Sequence, residues 1–190
     1  IEILTGLSGF LYGPGNVGGV VNYVTKRPTA ERLGKVTVGR AGGDSLYATG
    51  DFGGPIDKDG RFGYRVVAVK QGGETAIEKQ EIDKTFVSGV FDWHLTDKLL
   101  FQVNASDRDY VVEGAQAYWG LAPGVVRPSA DRIDTSVSYG QPWTRRNYEN
   151  RKYGGQLRWE GSDALTLRAA WQYNNSTREI SSATNTILAN

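Results

Sequence analysis

Cysteine is absent from the 190 residues and histidine occurs once. A disulfide framework is therefore excluded, and a zinc site of Cys and His ligands has almost nothing to be built from. No apolar run approaches the roughly 20 residues that a membrane-spanning helix requires. Neither sign of charge dominates: 22 Lys and Arg stand against 21 Asp and Glu, a net charge of +1. That balance argues against a nucleic-acid binder, which carries a clear basic excess. Catalytic patterns are equally scarce. Asp107, Asp109 and Glu113 cluster after a strand signal, as solvated carboxylates at strand ends commonly do. His94 lies beside a turn signal with no serine–carboxylate pattern near it. No residue is assigned a catalytic or metal-binding role, no cofactor is expected, and the chain reads as non-enzymatic.

Glycine and aromatic residues are abundant instead, with 25 Gly, 10 Tyr and 5 Trp. The mean hydropathy of -0.43 has a soluble look. That average misleads for membrane barrels, whose strands turn only alternate residues toward lipid. From residue 33 onward the chain alternates with period two in segments of about ten residues, the signature of antiparallel membrane strands. Segments are expected over residues 33–40, 46–52, 62–68, 87–95, 99–106, 153–160 and 165–174, about seven in all. Leu99, Phe101, Val103 and Ala105 against Gln102, Asn104 and Ser106 form the cleanest.

Turn chemistry separates the segments. Residues 53–60, 96–98 and 161–163 read as turns on one side of the membrane by their Gly, Pro and Asp content. Residues 71–83 and 112–148, and the Ser/Thr/Asn-rich stretch from Ser176, read as loops on the other side, with a short one at Gly42. Short turns face the periplasm and longer loops the exterior in outer-membrane barrels, so the first strand is expected to rise outward. Arg65, Asp92, Arg158, Glu160 and Arg168 then face inward, which avoids the roughly 2–4 kcal/mol of an Arg in mid-bilayer lipid. A soluble β-sandwich has similar alternation. Bulky aromatics near segment ends (Phe91 and Trp93, Trp171 and Tyr173, Phe62 and Tyr64) favour the membrane reading.

The N-terminal stretch carries the most specific signal. Ile1-Glu2-Ile3-Leu4, Gly6, Leu11-Tyr12-Gly13, Gly18-Gly19, Asn22 and Lys26-Arg27-Pro28 occur in one run. The apolar residues on either side of the glycines suggest two short strands joined by an ordered loop. A dinucleotide fingerprint is not met, because residues 20–25 read as strand where a helix would have to open. The run resembles the end of the plug domain of TonB-dependent outer-membrane receptors, in particular their ferric-siderophore branch. Thr5 stands where that family usually has Lys or Arg, so the salt bridge such a residue can make to the barrel is not expected here. Leu7 and Val17 replace usual prolines without disturbing the glycine framework. The chain starts in mid-motif at Ile1, so an internal piece of a longer protein is expected.

The resemblance implies an all-β fold: part of a transmembrane antiparallel β-barrel, of 22 strands in the family, with the C-terminal end of its plug. Residues 1–28 would end the plug and residues 29–190 begin the barrel. Gly6, Tyr12, Gly13, Gly18, Gly19, Asn22, Lys26, Arg27 and Pro28 would be structural plug positions. The glycine loop is either only a tight plug turn or also a donor of backbone groups beneath the ligand. The implied function is import of a ferric siderophore across the outer membrane of a Gram-negative bacterium, with iron present only as cargo. The implied partners are the siderophore, the TonB–ExbB–ExbD complex acting through a segment outside this chain, and outer-membrane lipid and lipopolysaccharide. Cobalamin, haem or a glycan are alternative ligands, and a non-transporting adhesion or structural barrel is a further alternative.

Residues 117–124 resemble the third extracellular loop of siderophore receptors, whose aromatics help to line the ligand pocket. Tyr118 and Trp119 are therefore the first ligand candidates, followed by Trp143, Arg145 and Arg146. Aromatics give contact area at low entropy cost, and the arginines would attract an anionic ferric complex at a strength that salt reduces. Trp119 and Trp143 have a second reading, packing the loop on itself or meeting lipopolysaccharide at the rim.

Overall fold

A computed structural model describes residues 2–5 and 19–188. The run from Gly6 to Gly18, with the plug positions Gly6, Tyr12, Gly13 and Gly18, lies outside the described residues. On either side of it, β1 (Glu2–Thr5) and β2 (Gly19–Asn22) pair antiparallel, Glu2 opposite Asn22 and Thr5 opposite Gly19. The second of these strands stops at Asn22, short of the stretch to Thr25 that β-branched and aromatic residues suggested. Residues 23–32 carry no regular structure and lead into the main sheet.

That sheet is an antiparallel meander of seven strands: β3 (Leu33–Arg40), β4 (Leu46–Pro55), β5 (Phe62–Glu74), β6 (Glu81–Thr96), β7 (Leu99–Glu113), β9 (Arg145–Ser162) and β10 (Leu165–Ser181). Each strand pairs with its sequence neighbours, and the order is interrupted only by a long connection that carries β8 (Tyr118–Leu121). The last strand, β11 (Thr184–Ile187), runs parallel to β8, so the stretch after β10 is zipped to the long connection.

On one side the strands are joined by residues 56–61, by Asp97-Lys98 and by Asp163-Ala164. The six-residue turn is held by Asp57, whose carboxylate accepts the backbone N–H of Phe62 at 2.9 Å and of Arg61 at 3.2 Å. On the other side the connections are residues 41–45, 75–80 and 114–144. Gly43, at φ 56°, lets the first of these press against its neighbour, since a Cβ there would lie 2.2 Å from the Thr75 carbonyl oxygen. Strands continue further toward this side than the alternation suggested. Residues 71–74, 81–83, 112–113, 145–148 and 176–181, expected as loop, are strand.

Almost nothing is buried. Among the described residues, Val90 and Ala115 are the only buried apolar side chains. The chain exposes 13835 Å², against roughly 9000 Å² for a folded soluble chain of this mass. Among the described residues no second layer covers the apolar face of this sheet. In the strand register, Phe62, Tyr64, Val66, Phe91, Trp93, Phe101, Val103, Leu157, Trp159, Leu167 and Trp171 share one face. On β10 this apolar stripe runs from Leu165 to Tyr173. That is about 26 Å along the strand, or about 20 Å of membrane thickness at the usual tilt of about 40°. Aromatic clusters mark its two edges. Phe62 packs with Phe91 (6.0 Å between centroids) and Trp93 (5.8 Å) at the short-turn edge. Tyr153 packs with Tyr173 (4.8 Å) and Trp171 (5.7 Å) at the other. An apolar band bounded by aromatic girdles is what a lipid bilayer demands of a strand.

Candidate functional site: a cationic and aromatic row on the inner face

The face opposite lipid is polar and already has an occupant. The extended segment of residues 23–28 lies along it, over a hollow of about 370 Å³ bounded by Tyr23, Lys26, Arg65, Ser88, Asn104 and Lys152. Asp51 receives Arg65 in two parallel hydrogen bonds, of 2.8 and 2.9 Å, and Lys26 at 2.6 Å. Arg65 donates a further bond to the Arg27 carbonyl at 3.2 Å. Arg27 pairs with Asp92, which also accepts from Gln102 at 3.0 Å. The side chains of Asp51, Arg65 and Asp92 are only 13–14% exposed. The basic pair before Pro28 thus anchors this segment to β4 and β6, and Arg65 and Asp92 face inward with it. Pro28 seats against Gly63, where a Cβ would stand 2.8 Å from the proline ring.

Above this anchorage, toward the long connections, the inner face changes character. Lys84, Tyr110, Tyr148 and Arg178 occupy one register row across four adjacent strands. The two tyrosine rings stack at 6.1 Å. Arg178 lies over Tyr148 at 5.0 Å, and Arg108, one inward position below, lies over Tyr110 at 5.6 Å. Arg108, Tyr110, Tyr148 and Arg178, with Glu149, Asn150, Lys152 and Ser176, line a recess of about 490 Å³, and Lys84 extends the row beyond it. Cations on aromatic faces are attracted by the ring quadrupole, and the contact keeps the guanidinium planes ordered. The strands here stand clear of the lipid belt, so the site is rigid yet open to water.

The structure places the sequence-derived candidates at different points around this row. Arg146 faces inward, one position beyond Tyr148. It donates to the Gln116 carbonyl at 3.2 Å and lies over the Tyr118 ring at 5.9 Å. Arg145, its neighbour, alternates onto the outer face opposite Glu113. Both belong to the start of β9. Tyr118 and Trp119 sit on β8, 72% and 48% exposed, opposite Thr184 and Asn185 of β11. Trp143 is exposed beside Thr144, which is buried and closes the base of the long connection. The Thr144 hydroxyl is 2.7 Å from both the Ala115 and the Gln141 carbonyl, and the Thr144 carbonyl accepts the Gly114 N–H at 2.9 Å. Arg146 and Tyr118 are thus brought together, Trp119 and Trp143 are exposed on the long connection, and Arg145 lies on the outer face. Lys84, Arg108, Tyr110, Tyr148, Lys152 and Arg178 were missed by sequence reasoning. For Arg108 and Tyr110 the signal was the even-numbered inward alternation of β7 continuing past Ser106 after the outer face had turned acidic.

A single antiparallel meander, oily outside, polar inside and carrying an extended segment on its inner face, is the wall of a plugged transmembrane β-barrel. No family model matches the chain. It is 30% identical over 172 residues to the ferrichrome outer membrane transporter/phage receptor of Escherichia coli strain K12, covering 88% of this chain and 22% of that protein. It is 33% identical over 157 residues to the ferric-pyoverdine 358 receptor of Pseudomonas putida, covering 80% of this chain and 18% of that one. Among solved structures, the ferric preacinetobactin receptor BauA from Acinetobacter baumannii superposes with a TM-score of 0.89 at 22% identity, over 97% of this chain and 28% of BauA. The ferripyoverdine receptor of Pseudomonas aeruginosa, bound to ferripyoverdine, gives 0.82 at 20% identity, over 94% and 24%. The chain is similar in sequence to these outer-membrane siderophore receptors and has the fold of the corresponding part of their solved structures. It spans about a fifth of the length of the curated relatives it matches. These relatives are transporters and receptors rather than enzymes.

Proposed function

We propose that this chain supplies part of the wall, and the end of the plug, of a receptor that imports a ferric siderophore. Residues 1–28 end the plug and residues 29–190 form wall. The supporting observation is the inward row of stacked tyrosines and cations above an ion-paired plug segment. Ligand arriving from outside meets this row and the loop aromatics Tyr118, Trp119 and Trp143, with Arg146 bridging the two. The plug segment, held through Lys26 and Arg27, seals the passage below. The TonB–ExbB–ExbD complex energises release by acting on a segment outside this chain, shifting the population from sealed to open. The protein does no chemistry on its ligand, carries no cofactor and has no nucleic-acid partner. Iron travels only inside the siderophore. Outer-membrane lipid covers the belt, and lipopolysaccharide meets the rim above it.

Growth on a panel of ferric siderophores under iron limitation tests this, with the full-length receptor compared with its Tyr118→Ala, Trp119→Ala and Tyr148→Ala variants. Uptake is expected to fall in each variant while receptor abundance stays constant. Rescue by cobalamin, haem or a glycan and by no siderophore would replace the ligand class. No transport of any solute would leave an adhesion barrel.

A further inference from the structure

We infer that the receptor selects negatively charged, aryl-bearing ferric chelates of the catecholate type over neutral ferric hydroxamates. The inference rests on the siderophore reading and narrows it. Its basis is how the strands sort charge between their two faces above the lipid belt. Lys84, Arg108, Arg146, Lys152 and Arg178 all alternate onto the inner face. Lys152 shares the register row of Ser88, Ser106 and Asp51, and above that row no Asp or Glu of the described strands alternates onto the inner face. The acids of the same height, Asp83, Asp107, Asp109, Glu113, Glu149 and Glu179 among them, stand on the outer face. Glu149 comes to the edge of the recess, but from the outer face, where Asn147 donates to it at 3.4 Å.

Two of these outer-face acids have cationic partners on their own face. Lys70 pairs with Asp83 at 2.6 Å and Arg151 with Asp107 at 2.8 Å. On the inner face, Asp51 in the row of Lys152 and Asp92 below it are taken by Lys26, Arg65 and Arg27. The five upper cations have no carboxylate partner among the ion pairs of the described residues. Three of them lie over tyrosine rings instead. A concave wall carrying one sign of charge focuses its field on whatever enters.

Ferric chelates differ in this respect. A ferric ion wrapped by three catecholates keeps a net triple negative charge, whereas three hydroxamates neutralise it. The former also presents aromatic rings at its periphery, which can stack on the Tyr110–Tyr148 pair and on the guanidinium planes. Lys84, Arg108, Lys152 and Arg178 are therefore specificity-determining residues for the cargo.

Binding to the full-length receptor in detergent, followed by tryptophan fluorescence, decides the matter with two probes: a synthetic ferric tris-catecholamide and a neutral ferric tris-hydroxamate. The catecholamide is expected to bind at least about tenfold more tightly in dilute buffer, with the advantage shrinking as salt rises and screening shortens to a few ångströms. Arg108→Gln with Arg178→Gln should collapse the ratio between the probes, and Lys70→Gln on the outer face should leave it intact. Preference for the hydroxamate, or a ratio indifferent to salt, overturns the inference and leaves the siderophore reading standing. Binding of neither probe overturns both. The salt series needs no variant, so a double variant that fails to fold does not blunt the test.

Discussion

Asp51 illustrates how one carboxylate can hold two parts of the molecule together. Its two oxygens receive the guanidinium of Arg65 in a fork, and Lys26 of the extended segment closes on the same group. A bidentate Arg–carboxylate pair adds directional bonds to Coulomb attraction. Removing one partner of such a half-buried set leaves a desolvated charge behind, which is why breaking a pair costs more than the pair contributes. Asp51→Asn is therefore expected to loosen residues 23–27 from the wall without unfolding β4 and β5, whose ladder bonds are untouched. Amide exchange of the full-length receptor reads this directly: Thr25, Lys26 and Arg27 should exchange at least about tenfold faster, the equivalent of about 1.4 kcal/mol of local opening. Unchanged protection would mean that the segment is held by shape, through Pro28 against Gly63, and not by charge.

Single elements show where the sequence was legible. The strand expected over residues 33–40 is the strand observed, and the starts of β4, β5, β7 and β10 were also placed correctly. Each was framed by turn residues and alternated cleanly. The outer ends were read too short, by seven residues in β7 and in β10. The physical reason lies in the medium. Within lipid the outer face must be apolar, so alternation is visible. Beyond the belt both faces meet water, Asp107 and Asp109 follow Ala105, and the pattern fades while the ladder continues. The candidate row lies in those unread ends, so Tyr118 was found through a resemblance whereas Tyr110 and Tyr148 were not. The short-turn side was more legible because its chemistry is local. Asp57 sits outside the membrane, and the N–H groups first of Phe62, then of Arg61, hold its carboxyl below the usual carboxylate range. A lowered folded-state pKa contributes stability above the unfolded value and loses it as pH falls through the folded one. The β4–β5 turn is thus expected to tighten at neutral pH and fray under acid. Exchange at Phe62, corrected for its intrinsic pH dependence, should show that transition in the wild type and lack it in Asp57→Asn. An identical pH profile in the variant would remove the carboxylate from the turn's stability.

At the scale of the whole chain, the balance between surface and interior decides behaviour. With 13835 Å² exposed and two buried apolar side chains among the described residues, this sheet has no hydrophobic interior of its own. Its apolar face is stabilised only by what lies against it. Its edge strands, β3 and β10, leave one row of backbone donors and acceptors each without a partner strand in the sheet. In water both features invite association: the oily face of one copy covers that of another, and exposed edges add strands. The long edge is the more hazardous, because β10 spans 17 residues with Leu167, Ala169, Trp171 and Tyr173 on one face. Expressed alone, the 190 residues are expected to collect in insoluble or high-mass species in detergent-free buffer, while refolding into micelles should recover β-sheet by circular dichroism. Closing the edge and covering the belt are separate contributions, and they can be told apart. Detergent supplies only the cover, so the micelle-bound chain should still self-associate in a concentration-dependent way through β3 and β10. A monodisperse, folded monomer in plain buffer, with slow amide exchange across β7 and β9, would require a buried interior that this architecture does not have, and would undo the membrane-wall assignment itself.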